Sequence, residues 1–175
     1  RAVEGVDKPK ITFGFGRGND YSAEITGVKG MKTSFKLYHK GEYVRDMAIF
    51  VPGKHNVLNA LAAAAAARSA GVSYDGIEKG LNVFRGAKRR FAQLGEERGI
   101  TVVDDYAHHP TEIASTLRAA KSLDFRKVWA VFQPFTYSRT EILMDEFVQA
   151  LEIADTAVIT DIMGSREKNT HGIYA

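Results

Sequence analysis

Around Pro52-Gly53 the hydrophobic pattern changes its period, and that change limits the fold more than any other feature of the chain. Ahead of it, residues alternate at a period of two. Lys10 to Phe15, Tyr21 to Val28, Met31 to Tyr38 and Tyr43 to Val51 read as strands, joined by Lys29-Gly30 and His39-Lys40-Gly41-Glu42 as hairpin turns. Behind it, His55 to about Ala70 consists mainly of alanine and leucine, strong helix formers, and Gly71 is the expected stop. The alanines at 62 to 67 predict a helix that packs closely. Ser73 then caps a second predicted helix from Tyr74 to about Asn82.

A third regime follows a basic stretch, Phe84 to Arg90, and a domain junction is expected near residue 93. Strand Ile100 to Asp104, helix Pro110 to Lys121, strand Val128 to Phe132, helix Glu141 to Ala150 and strand Thr156 to Thr160 alternate. That order predicts parallel βαβ units, here a thin sheet of three strands. Ile100-Thr101-Val102-Val103 reads as a buried strand, and Asp161 to Ala175 carries no core pattern. The fold class is α/β. The start, Arg1-Ala2-Val3, lacks an initiator Met, so the chain reads as a fragment or a trimmed product.

Composition narrows the function. With no cysteine, disulfides, thiolate metal sites and a cysteine nucleophile are excluded, and a reducing compartment fits. A net charge of +3 suits small anions as much as nucleic acid, and no basic run with interleaved aromatics argues for the latter. The longest apolar stretch, Ala60 to Ala67, is too short to span a bilayer, and no N-terminal signal pattern is present. Neither nucleic acid nor membrane is an expected partner, and the sequence does not fix an oligomeric state.

Four constellations carry potential chemistry. His55, Asn56 and Asn59 cluster at the start of the alanine-rich helix, where amide dipoles attract anions and a carboxamide matches the paired edge of a purine. The competing reading makes Asn56 an N-cap and Asn59 an exposed residue. Arg85, Lys88, Arg89 and Arg90 can grip phosphate bidentately, or form a solvated linker. Asp104-Asp105-Tyr106-Ala107-His108-His109-Pro110-Thr111-Glu112 places acids and imidazoles where a strand becomes a helix, the position at which open α/β sheets bind ligands. Pro110 and Glu112 suit the first helical turn. Asp105 can accept from sugar hydroxyls and His108 or His109 can face a phosphate. Alternatively the histidines cap the helix, or Asp104, Asp105, His108 and His109 ligate zinc. Last, Phe135-Thr136-Tyr137-Ser138-Arg139 follows the next strand, with Tyr137, Ser138 and Arg139 able to bind an acidic substrate, or Ser138 capping a helix. Gly14, Gly16 and Gly18 lack dinucleotide-fingerprint spacing, and no phosphate-loop pattern follows Gly53-Lys54.

In this order and spacing, VPGKHNVLNALAAAAAA, FRGAKRRF, VVDDYAHHPTEI and VFQPFTYSRT resemble the Mur ligases. The resemblance covers nearly the whole chain, and DDYAHHPTE is specific to the branches that act on UDP-N-acetylmuramate. It implies the latter part of a central ATP-binding domain (residues 1–93) and the first part of a C-terminal Rossmann-like domain (94–175). It implies a cytoplasmic step of peptidoglycan synthesis in which ATP, with Mg²⁺, activates the muramic acid carboxyl and L-alanine attacks. The family's phosphate loop and its Mg²⁺ ligands lie upstream of the matching region, so the chain alone is expected to be inactive. By resemblance, His55, Asn56 and Asn59 lie beside adenine, Arg90 reaches the phosphates as a catalytic cation, and Asp105 holds the ribose. Tyr106, His108 and His109 face the sugar-acid and phosphate region, with His108 also catalytic, and Tyr137 and Arg139 meet the carboxylate-bearing substrates. Phe135 stands where the family usually has His. The alternatives are a ligase that adds a tripeptide to the same nucleotide sugar, and a non-catalytic nucleotide-binding module.

Overall fold

A computed structural model describes residues 5, 7–170 and 172–175; the chain start noted above lies outside them. Packing divides the chain into two compact units. One comprises residues up to Phe50 together with Lys54–Arg85, and the other comprises Val51–Gly53 with Gly86–Ala175.

The first unit begins with β1 (Phe13–Gly14), β2 (Tyr21–Lys29), β3 (Lys32–His39) and β4 (Glu42–Ile49), in that order in one sheet. β1 lies parallel to β2, and the other pairs are antiparallel. β1 is shorter than the six residues expected, because Thr12 and Asp20 instead close the loop that follows it. The Asp20 carboxylate accepts from the Thr12 amide at 2.8 Å and its hydroxyl at 2.9 Å. The second hairpin turn has Lys40 and Gly41 both at positive φ (52° and 84°), the primed-turn geometry that matches strand twist. Strand alternation places Phe35, Leu37, Met47 and Ile49 in the core. Helix α1 (Lys54–Ser69) buries Val57, Ala60, Leu61, Ala64 and Ala65, one helical stripe. Each of the larger side chains contributes about 1.5–3 kcal/mol by leaving water. α1 ends in a Schellman motif: Val72 N–H donates to Ala67 O (3.0 Å) and Gly71, at φ 87°, to Arg68 O (2.9 Å). Helix α2 (Tyr74–Val83) is capped by the Ser73 hydroxyl, which accepts from the Gly76 amide at 3.2 Å.

In the second unit, β5 (Ala92–Glu97) pairs antiparallel with β6 (Ile100–Asp104). Helix α3 (Pro110–Lys121) follows, then β7 (Trp129–Phe132), α4 (Tyr137–Ile142), α5 (Met144–Leu151) and β8 (Thr156–Ile159), with β7 and β8 parallel. Ile113, Ala114 and Leu117 of α3 pack with Val128, Ala130, Phe147, Ala150 and Leu151 as one core.

Three expectations need correction here. β5 is a strand that the sequence does not mark, and the packing division falls after Arg85. Among the described residues the three-stranded parallel sheet is a parallel pair and a separate antiparallel pair. β6 is not a buried strand: Ile100 and Val102 share one face, and packing leaves that face open, with the two side chains 67% and 51% exposed. The single helix Glu141 to Ala150 is two, broken at Leu143 (φ −111°, ψ 22°), the first starting at Tyr137.

Candidate active site

In the first unit the helix begins at Lys54, so Asn56 lies within the first turn and is not its N-cap. Asn59 Nδ2 donates to Asn56 Oδ1 at 3.2 Å, the expected i, i+3 pairing. His55 precedes them in the same turn, exposed. Asn59 is exposed, and its carboxamide carries both a donor and an acceptor on one side chain.

The second unit brings two distant motifs together. Asp105 accepts from the backbone N–H of Phe91 at 2.7 Å through Oδ2 and of Ala107 at 2.8 Å through Oδ1. The Tyr106 amide in turn donates to Arg89 O at 2.8 Å. These bonds hold Arg89 and Phe91 at positive φ (56° and 50°), so the basic segment turns sharply beside the acidic one. Arg89 Nε lies 3.4 Å from Asp104 Oδ2, and its guanidinium sits 4.6 Å over the Tyr106 ring. Arg90 Nη1 lies 3.6 Å from Glu112 Oε1. Asp105 is therefore both a structural clasp and a carboxylate with one lone pair per oxygen still available.

The two histidines take different parts. His109 is the N-cap of α3: its Nδ1 accepts from the Thr111 amide at 3.4 Å and lies 2.9 Å from the Thr111 hydroxyl. His108 Nδ1 lies 2.9 Å from Tyr106 O, and because a carbonyl only accepts, that nitrogen carries the hydrogen. In the neutral ring Nε2 then holds the free lone pair. Its side chain is 40% exposed. Glu112 Oε2 accepts from the His108 amide at 3.1 Å. Burial pushes the Glu112 carboxyl up, but that amide and the charges of His108 and Arg90 outweigh it and hold it below its usual range. The sequence places Glu112 in the first helical turn without marking it as a site residue. Its signal was present: a carboxylate at the third helical position reaches back to an amide ahead of the helix.

Beyond β7 the arrangement differs. Ser138 is not a cap but lies inside α4, where its amide (2.8 Å) and hydroxyl (2.6 Å) both donate to Glu167. Arg139 Nη1 is buried and has no hydrogen-bond partner among the described residues. Phe135 bridges to Met163 and offers no polar group. A cavity of about 790 Å³ lies in this unit, lined by Asp105 and Ala107 past the end of β6, by Val131 and Phe132 of β7 and by apolar core residues. Among the described residues no three histidine or acidic side chains converge, so they do not form a ready-made zinc site. No helix among those residues is long and apolar enough to cross a membrane.

Residues 89–174 match the family "Mur ligase, glutamate ligase domain". The UDP-N-acetylmuramate–L-alanine ligase of Clostridium novyi (strain NT) is 47% identical over 165 residues, which is 94% of this chain and 36% of that protein. Among solved structures, the UDP-N-acetylmuramate-alanine ligase MurC of Thermotoga maritima superposes with a TM-score of 0.77 at 33% identity, over 89% of this chain and 35% of that one. A murein peptide ligase from Psychrobacter arcticus superposes with a TM-score of 0.54 at 34% identity, over 82% and 30%. The chain thus spans 33–38% of the length of the curated relatives it matches. With its fold, its clustered motifs and these relatives in agreement, the chain belongs to the Mur ligase family.

Proposed function

We propose that the protein carrying this chain is a cytoplasmic ATP-dependent ligase that joins L-alanine to the carboxyl of UDP-N-acetylmuramate. The observation that carries this reading is the fusion of the Arg89-Arg90 segment with the Asp104–Glu112 segment into one exposed, charged cluster. Relatives named for that reaction support it over almost the full length of the chain.

A carboxylate is a poor electrophile, so ATP first phosphorylates it. The carboxylate oxygen attacks the γ-phosphorus, ADP leaves, and the product is an acyl phosphate. The free amine of L-alanine then attacks the carbonyl carbon, a proton leaves the nitrogen, and phosphate departs as the amide forms. Negative charge collects on phosphoryl oxygens and then on a tetrahedral oxyanion, so fixed donors dominate the catalysis. In this reading Arg90 supplies one such cation. His108, with Nδ1 committed to the Tyr106 carbonyl, turns Nε2 to the reacting groups, as an acceptor when neutral and a charged donor when protonated. Asp105 uses its remaining lone pairs on the ribose hydroxyls, and Tyr106 and His109 border the same region. The Asn59 carboxamide, with His55 and Asn56, meets the adenine edge. Arg139, whose Nη1 has no partner among the described residues, takes a substrate carboxylate beside Tyr137. Mg²⁺ accompanies ATP in such reactions and would neutralise charge on its phosphates.

The test is phosphate release by the complete protein with ATP and UDP-N-acetylmuramate. Dependence on L-alanine is expected. Dependence on a tripeptide instead assigns the protein to the murein-peptide branch, a reading favoured by the Psychrobacter neighbour. Nucleotide binding with no release under either condition makes it a binding module.

A further inference from the structure

We propose that Glu112 is a positioning residue for this reaction, a brace that holds Arg90 and His108 in one fixed arrangement at the start of α3. The inference rests on the ligase reading above. Its two oxygens are divided between two motifs: Oε1 lies 3.6 Å from Arg90 Nη1, while Oε2 accepts from the His108 amide at 3.1 Å and lies 3.6 Å from His108 Nδ1. Glu112 itself belongs to the first turn of α3, where the N-terminal dipole favours a carboxylate. The brace is therefore anchored to a twelve-residue helix, and through it to the core residue Ile113.

Arg90 needs such an anchor. Its side chain is 53% exposed, and it follows a residue held at positive φ in an irregular segment. A long exposed arginine left alone samples many rotamers, whereas stabilising a phosphoryl transition state requires a cation already in place. The carboxylate also lies beside the His108 ring on the side of Nδ1, the nitrogen bonded to the Tyr106 carbonyl. The Tyr106 bond leaves Nε2 for the reacting groups, and Glu112 holds the His108 backbone in place through its amide. Glu112 touches no substrate in this scheme. It acts through the two residues that do.

The test is a double-mutant cycle in the complete protein, with kcat and KM read from L-alanine-dependent phosphate release. Glu112→Gln keeps an oxygen to accept from the His108 amide and removes the charge that faces Arg90. The expected result is a fall in kcat on the order of tenfold with the KM values for ATP and alanine little changed. In an Arg90→Ala background the same substitution should lower kcat much less, because the Arg90 partner is already gone and Gln keeps the acceptor for the His108 amide. A Glu112→Gln enzyme as fast as the parent, or one whose loss simply multiplies with that of Arg90→Ala, overturns the brace and leaves the ligase reading standing. A parent protein with no release dependent on the nucleotide sugar overturns both. Should Glu112→Gln lower the unfolding temperature, Glu112→Asp gives the same discrimination, since it keeps the carboxylate and withdraws it by one methylene.

Discussion

The second unit contains two strand-to-helix turns, one after β6 and one after β7, and they are built in opposite ways. After β6, the turn is held by its own residues and by the basic segment just before β5: His109 caps α3, Pro110 opens it, Glu112 reaches back to His108, and Asp105 clasps Phe91 and Ala107. After β7, Thr136 lies at φ 68° and ψ 140°, a region poorly suited to a β-branched residue, and makes no side-chain cap. The start of α4 is instead held by Glu167, 29 residues along the chain. The lesson is a division of labour. The first turn gathers charge in a locally determined geometry fit for chemistry, while the second depends on the tail for its shape and leaves one arginine nitrogen without a partner among the described residues.

Substitutions should separate the two turns by what they damage. The largest effect is expected from Arg90→Ala in the complete protein: kcat should fall about a hundredfold, roughly 3 kcal/mol of barrier, with the unfolding temperature little changed. An undiminished rate would reduce that turn to decoration. At the other turn the damage should be to stability. A Cβ on Gly164 would lie 2.5 Å from Tyr137 Cε2 and 3.0 Å from Glu167 O, so Gly164→Ala should cost about 1–3 kcal/mol in denaturant unfolding. A cost near zero would mean that the tail does not support α4.

Thr136→Gly tests the same turn with the opposite sign. Relief of backbone strain should exceed the entropy that glycine loses, for a net gain of up to about 1 kcal/mol. A loss would show that Thr136 is not strained. The smallest effect concerns pH. The Ser138 hydroxyl and amide hold the Glu167 carboxyl below its ordinary value of 4.5. Because the folded value is the lower one, this contact stabilises fully above that ordinary value and is lost as pH falls through the lowered one. Glu167→Gln should therefore be less stable than the parent at neutral pH and converge with it in acid; a gap that persists in acid would remove the linkage.

What the sequence reveals follows the same division. The bounds of α3 and β6 were legible to the residue because their signals are local: a proline at the first helical position, a carboxylate in the first turn and a β-branched run. The Schellman end of α1 was legible from Gly71 for the same reason. β5 was missed because Ala-Gln-Leu-Gly-Glu-Glu has neither alternation nor strand formers, and only its pairing with β6 makes it a strand. The early start of α4 was missed because its support comes from Glu167. At the site, the residue types were readable, but the joining of Arg89 and Arg90 to the Asp104–Glu112 segment was not. That junction depends on backbone bonds to Asp105 and Arg89 and on two residues at positive φ, for which neither Arg nor Phe is a sequence signal.

The central claim, activation of a carboxyl as an acyl phosphate, has a direct test. UDP-N-acetylmuramate labelled with ¹⁸O in its carboxyl group is given to the complete protein with ATP and L-alanine, and the released phosphate is analysed by mass. One labelled oxygen per phosphate is predicted, since the oxygen that attacks phosphorus leaves with it; phosphate free of label would contradict the account.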